Sequence, residues 1–461
     1  MKNSLKQIFV CNSCGSIHPK WLGKCPDCDA WNSIHEETVQ KNQYQQNING
    51  NKADIKPLPK VEEKLERRLF CGVPELDRVL GGGLVVGSLI LLSGDPGIGK
   101  STLLLQALNG LAQRGYRVLY ASGEESCTQI KLRAERLGSL HMNILVTNET
   151  NILAILEAAK TTKPEVLVID SIQTVYNPEL PGSPGNVSQV RECTNLILQN
   201  AKSQNISTFV IGHVTKEGNI AGPKLLEHLV DTVMHLEGDY SSGYRILRAQ
   251  KNRFGSTGEI GVFAMQGHGL VDIPNPSSLF LDQNKKGCEG SAVTITMEGT
   301  RPILLEVQVL VGKTSFASPR RLATGFDTNR FTILLAVLEK RAGLFLSTQD
   351  VYANITGGFK IYETAIDLAT AAAVTSSLFN KLLPAKSAYF GEVGLSGEIR
   401  MVNHALARIQ EAQKLGFEKV FIPSQNYQLE QPHILKLIEK SEHPFFVIPV
   451  EHINEIVHKD R

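Results

Sequence analysis

The chain has 461 residues, a formal net charge of +2 and 20% charged residues. That length exceeds a single hydrophobic core and implies two or three domains, while near-neutral charge leaves nucleic acid open as a partner and confines any basic surface to local patches. No apolar run nears the ~20 residues that span a bilayer, and no apolar stretch that reads as a secretory signal follows the first residues, so a cytoplasmic protein without membrane contact is expected.

The first element is a cysteine module. Cys11 and Cys14, then Cys25 and Cys28, form two Cys-x2-Cys knuckles. Each knuckle sets two thiolates on one tight turn, and two knuckles complete a tetrahedron around zinc. Two matched pairs argue against a redox dithiol, and four cysteine ligands leave no open position for metal catalysis. Trp21 and Trp31, the only tryptophans, flank the second knuckle and are expected to cover the small core, with stacking on bases as the alternative. His18 and His35 are ligand types that nothing in the pattern requires. The isolated Cys71, Cys127, Cys193 and Cys288 are expected to be small buried apolar residues. The module occupies residues 1–37. Residues 38–68, rich in Asn, Gln and Lys near their start, read as a flexible linker.

Residues 69–273 alternate apolar strand runs with helical stretches, the pattern of a parallel α/β sheet. Strands are predicted at 89–93, 118–122, 166–169 and 208–211, with further strands at 232–236 and 261–265. After the first strand comes Gly94-Asp95-Pro96-Gly97-Ile98-Gly99-Lys100-Ser101-Thr102, and then a helical run. This is a phosphate-binding P-loop. Glycines let backbone N–H groups turn inward onto phosphate oxygens, and the helix N-terminus adds its dipole. Lys100 reaches the β- and γ-phosphates of ATP and Ser101 holds Mg²⁺. Polar residues close the next strands, where such sheets bind ligands. Ser122-Gly123-Glu124-Glu125 offers a general base for the attacking water. Glu124 is the preferred base, and Glu125 the more ordinary acid at a helix start. Asp170 follows an apolar strand and orients Mg²⁺. His213 ends the fourth strand as a polar sensor beside the phosphate.

These segments, with Ser122-Gly123-Glu124-Glu125-Ser126, Ile169-Asp170-Ser171-Ile172-Gln173-Thr174 and Gly212-His213-Val214-Thr215-Lys216-Glu217-Gly218, resemble the RecA-like ATPases. Lys251-Asn252-Arg253-Phe254-Gly255 and the cysteine module with Lys20-Trp21-Leu22-Gly23-Lys24-Cys25-Pro26 are similar to the RadA (Sms) family of bacterial DNA repair proteins, and the motifs follow that family's order. The resemblance implies a homo-hexameric ring that moves on DNA during homologous recombination. It places nucleotide between subunits, where Lys251 and Arg253 reach the neighbour's ATP and act as an arginine finger. It also makes two loops, 176–191 and 216–224, candidates for holding single-stranded DNA, with Arg191, Lys216 and Lys224 as phosphate contacts. The alternative for these loops is a surface that serves assembly only.

Residues 274–461 read as an α/β domain, with strands at 291–297 and 303–310 and helices at 332–341, 364–379 and 404–415. The order resembles the proteolytic domain of Lon, a fold whose chemistry needs a serine activated by a lysine. The segments that should carry them read Ile361-Tyr362-Glu363-Thr364-Ala365 and Asn403-His404-Ala405-Leu406-Ala407-Arg408, so no dyad is present and the domain is expected to be catalytically inactive. Arg320, Arg321 and Arg330 form either a basic DNA-binding patch or ordinary ion pairs. The implied function is a DNA-dependent ATPase, a helicase or branch-migration motor acting on single-stranded and branched DNA beside a RecA-type recombinase. The alternative is a nucleotide-switched scaffold that binds DNA without translocating.

Overall fold

The computed structural model describes residues 5–11, 16–27, 29–40, 57, 67–213, 226–238, 243–277, 281, 288–315, 318–356, 360–441 and 443–458. The chain divides into two compact units, Met1–Ile273 and Pro274–Arg461.

Within the first unit, the cysteine module is a three-stranded antiparallel sheet. Leu5–Cys11 runs centrally between Ile17–His18 and Ile34–Gln40. The last strand continues past Glu37, into the segment expected to be linker. Cys11, Cys25 and Ile34 form its buried core, with Phe9 and Leu22 packed against them.

The larger part of the first unit is a nine-stranded sheet. Its parallel strands run in the order Thr232–Glu237, Leu89–Gly94, Ser207–His213, Val166–Asp170, Val118–Ser122 and Ile144–Thr147. These strands are apolar on both faces because helices cover both. Ile90, Leu92, Val118, Tyr120, Val166 and Val168 face one core, and Leu89, Leu91, Leu119, Ala121, Leu167 and Ile169 the other. The sheet is not parallel throughout. Tyr244–Asn252, Ile260–Gln266 and Gly269–Asp272 extend one edge as an antiparallel meander. The links between these strands are too short for the crossover that parallel pairing requires.

The second unit holds a seven-stranded mixed sheet in the order Arg321–Thr324, Gln349–Ile355, Arg301–Lys313, Ser291–Glu298, Ser387–Tyr389, Lys419–Pro423 and Phe446–Val450. The expected helices are Thr328–Ala342, Asp367–Phe379 and Ala405–Lys414, the second entered by a 3-10 turn over Thr364–Ile366. Asp367–Phe379 is buried along nearly its whole length, which its run of alanines permits by letting the sheet approach closely.

Candidate nucleotide site and metal module

The P-loop joins the fully buried strand Leu89–Gly94 to the helix Lys100–Gln113. Gly97 and Gly99 adopt left-handed backbone angles, φ +76° and +119°, that only glycine takes at little cost. Gly94 is needed for space, since a Cβ there would run into the Leu236 carbonyl. Lys100 is 4% exposed. Its ammonium donates to the carbonyls of Gly94 at 2.8 Å and Asp95 at 2.9 Å, so it spans the mouth of the loop. Burial lowers its pKa, against which Asp170, Glu124 and Asp95 act.

Asp170 ends the strand Val166–Asp170 beside the helix start, and its peptide to Ser171 is cis. Ser101 Oγ donates to Asp170 Oδ2 at 2.8 Å. The Tyr120 hydroxyl donates to the same oxygen. Asp170 Oδ1 is buried with no hydrogen-bond partner. A hydroxyl and a carboxylate with one open buried oxygen are the ligand types that Mg²⁺ and its waters take, so these residues fit the ion.

The two adjacent glutamates are used differently. Glu124 Oε1 accepts from Ser171 Oγ at 2.6 Å, which sets it on the Lys100–Asp170 cluster. Glu125 pairs with Arg133 of the helix Cys127–Arg136. Neither glutamate starts that helix. Ser126 is its N-cap and forms a capping box with Gln129. His213 ends its strand in register with Gly94. Near the helix start, Thr102, Arg136, Leu137, Met265, Gln266, Gly267 and Gly269 line a cavity of about 270 Å³.

Lys251 and Arg253 do not reach this P-loop. Asn252 is in register with Thr232, and Thr232 with Ile90, four residues before Gly94. At ~3.3 Å per residue this is about 13 Å along the strand, at the end away from the phosphate loop. There Lys251 Nζ donates to the carbonyls of Glu227 at 2.6 Å and Val230 at 2.8 Å, and Arg253 Nη1 pairs with Asp231 Oδ1 at 3.1 Å.

Three residues of the site have roles that the sequence alone does not assign. Tyr120 looks like a core aromatic in its strand, and Ser171 like an ordinary residue after it. Arg245 is buried and donates from Nε to the Ile98 carbonyl inside the P-loop at 3.1 Å. It lies on the strand Tyr244–Asn252, which the apolar pattern does not reveal because charged residues interrupt it.

The candidate DNA loops fare unequally. Residues 216–224, with Lys216 and Lys224, lie outside the described residues. The other loop ends at Asn186, the N-cap of the helix Val187–Gln204, so Arg191 is helical and exposed rather than in the loop. Gln189 is fully buried and ties the loop down: its side chain accepts from Asn177 N and donates to the carbonyls of Asn177, Leu180 and Gly182.

In the cysteine module Cys11 and Cys25 are fully buried, while Cys14 and Cys28 lie outside the described residues. Cys25 Sγ lies 3.7 Å from His18 Nε2, and His18, Cys25 and Asp27 bring potential ligand atoms within 4.8 Å of one another. Two buried thiols in one small core, with Cys11 at the end of its strand, are of the type that zinc takes. The tryptophans do not cover this core: Trp21 is 58% and Trp31 72% exposed. The module is too thin to bury both indoles against so few apolar side chains. Among the isolated cysteines, Cys71 and Cys193 are buried as expected, but Cys127 is half-buried and Cys288 exposed.

In the second unit the two segments expected to lack a dyad meet as an ion pair. Arg408, 1% exposed, makes a bidentate contact with Glu363, Nη1 to Oε1 at 2.8 Å and Nη2 to Oε2 at 2.7 Å. Arg330 is held by the buried Asp367, so its charge is not offered to a basic patch, and Arg321 sits 3.9 Å from Glu339.

Fold and site define a RecA-like P-loop ATPase with an N-terminal zinc ribbon and a Lon-like C-terminal domain. Residues 69–163 match the KaiC ATPase family, 9–36 a rubredoxin metal binding domain and 336–426 subunit ChlI of Mg-chelatase. DNA repair protein RadA of Listeria monocytogenes is 51% identical over 91% of this chain and 92% of its own length. That of Bacillus subtilis is 50% identical over 91% and 93%. Of solved structures, a KaiC-like protein from Pyrococcus horikoshii covers 46% of this chain and all of its own at 20% identity and TM-score 0.38. The chain belongs to the family of DNA repair protein RadA. Among the described residues, no helix is long and apolar enough to cross a membrane.

Proposed function

We propose that this protein is an ATP-hydrolysing motor on single-stranded and branched DNA, a helicase or branch-migration enzyme of homologous recombination and repair. One observation supports this reading above the others. Lys100, Ser101, Asp170 and Glu124 converge on one site, whereas Lys251 and Arg253 lie at the far end of the same sheet. The distance of these two cations from the chain's own P-loop supports a site completed by a neighbouring copy, as in a homo-hexamer.

Mg²⁺, when bound, neutralises charge on the β- and γ-phosphates. The protein does the rest. The backbone amides of Gly97, Ile98 and Gly99 cradle the phosphates, and Lys100 exchanges its two carbonyls for phosphate oxygens. Thr102, next to Ser101, borders the cavity that receives the nucleobase. Glu124, oriented by Ser171, takes a proton from the attacking water. Arg253 of the next copy meets the charge that develops on the γ-phosphate. His213, next to Gly94, relays the state of the phosphate toward residues 216–224. Arg191, Lys216 and Lys224 contact DNA phosphates, so binding is sequence-tolerant and weakens with salt. A RecA-type recombinase supplies the DNA intermediates. The second unit serves assembly and DNA binding without proteolysis.

The test is a forked-DNA unwinding assay with ATP beside the Lys100→Ala variant. Unwinding by the wild type and none by the variant supports the motor. Tight ATP-dependent DNA binding without any unwinding by the wild type favours the scaffold.

A further inference from the structure

Asp231 precedes the strand Thr232–Glu237 and is almost completely buried. Its two carboxylate oxygens are divided. Oδ2 accepts from Leu89 N at 3.0 Å and pairs with Lys202 Nζ at 2.8 Å. Oδ1 pairs with Arg253 Nη1 at 3.1 Å, and the Asp231 carbonyl accepts from Arg253 N at 3.2 Å. Lys202 already neutralises the carboxylate and Leu89 already secures it to the start of the P-loop strand. The bond to Arg253 is thus not needed to bury Asp231. It fixes one edge of a guanidinium whose side chain stays 57% exposed. Lys251, anchored on Glu227 and Val230, adds a second cation beside it. The local sum is three cations, Lys202, Lys251 and Arg253, to the two carboxylates of Asp231 and Glu227, an outward-facing excess suited to a polyphosphate.

We propose that Asp231 is a positioning residue that holds Arg253 ready for the nucleotide of a neighbouring copy, an inference that rests on the reading of Arg253 as acting between subunits. Asp231 touches no nucleotide. It acts by removing rotamers from Arg253 before the neighbour docks, so that its loss lowers turnover and leaves the chain's own nucleotide affinity intact.

The experiment compares Asp231→Asn and Arg253→Ala in the full-length protein, alone and mixed with Lys100→Ala chains. Asparagine keeps an oxygen for Leu89 N–H and removes the charge that holds Arg253. Alone, Asp231→Asn should bind ATP within about twofold of wild type and lose about tenfold or more in kcat, with Arg253→Ala losing more. In mixtures a Lys100→Ala chain offers an intact finger to a neighbour with an intact P-loop, so both variants should regain turnover. Wild-type kcat for Asp231→Asn, or rescue of Arg253→Ala but not of Asp231→Asn, overturns the proposal. If Arg253→Ala itself keeps full turnover or gains nothing from mixing, the reading between subunits fails instead and takes the proposal with it. Should Asp231→Asn lose nucleotide binding, Asp231→Glu replaces it, and loss of binding in both makes Asp231 a support of its own P-loop and refutes the finger role.

Discussion

Ser101 and Asp170, 69 positions apart in sequence, meet through a 2.8 Å hydrogen bond between hydroxyl and carboxylate. The bond uses Asp170 Oδ2, which also takes the Tyr120 hydroxyl, and leaves Oδ1 buried and unpartnered. The arrangement is poised for a hard cation, since an orphaned carboxylate oxygen costs ~1–3 kcal/mol unless something binds it.

Removing that oxygen should therefore affect metal-dependent binding selectively. Asp170→Asn is expected to bind ATP in Mg²⁺ no better than in a chelator, whereas the wild type gains tenfold or more, about 1.4 kcal/mol. Titration calorimetry with and without Mg²⁺ reads this directly. An undiminished Mg²⁺ effect in the variant speaks against Asp170 as the metal's support.

Glu124 and Glu125 separate by chemistry. Glu124→Gln should keep nucleotide affinity and lose ~10²–10⁴-fold in kcat, the range of a lost general base. Glu125→Gln removes only the pairing with Arg133 and should keep most of its turnover. Single-turnover hydrolysis distinguishes the two, and equal losses contradict the assignment.

The second unit makes a prediction about stability. Arg408→Ala leaves Glu363 with only the Met297 N–H and opens the carbonyl of Ile295, and is expected to lower stability by about 3 kcal/mol, the lower end for a broken buried pair because Glu363 is partly exposed and keeps that bond. Denaturant unfolding of the full chain checks it.

A pH effect follows from Asp272. Burial, with Glu75 and Asp77 nearby, raises its pKa from the model-compound range to about 6. The folded state then binds more protons than the unfolded state between about pH 4 and 6, so this carboxyl lowers stability as pH rises through that window. Asp272→Asn should raise Tm at pH 8 and leave it nearly unchanged at pH 4. A larger gain at the acidic end contradicts the sign.

For the metal module, Cys25→Ser should lose about one zinc per chain while ATP affinity stays within about twofold. Metal analysis beside nucleotide titration tests both halves.

Much of this site is legible in the chain because its chemistry is local. The P-loop needs glycines at fixed offsets, and an apolar strand ending in Asp170 announces itself. The inner strands of the parallel part follow for the same reason, since burial on both faces forces continuous apolar runs, whereas the edge strand Ile144–Thr147, only partly buried, is not among the predicted strands. What escapes is whatever depends on a distant partner. Arg245 sits on an amphipathic strand of the antiparallel meander that charged residues disguise, and its role appears only when the meander folds it against Ile98. Tyr120 is indistinguishable from a core aromatic until Asp170 lies beside it. Trp21 and Trp31 mislead because large aromatics are ordinarily buried, and a module whose core has three residues among those described does not bury them.

The central claim is ATP-driven movement on DNA through a site completed by a neighbouring copy. The most direct measurement is the steady-state ATPase rate of the full-length wild type, Lys100→Ala and Glu124→Gln, with and without single-stranded DNA, beside unwinding of a forked duplex by the same preparations. DNA-stimulated hydrolysis and unwinding are expected of the wild type and neither of the two variants. Hydrolysis indifferent to DNA, or unwinding that survives Lys100→Ala, would contradict that claim.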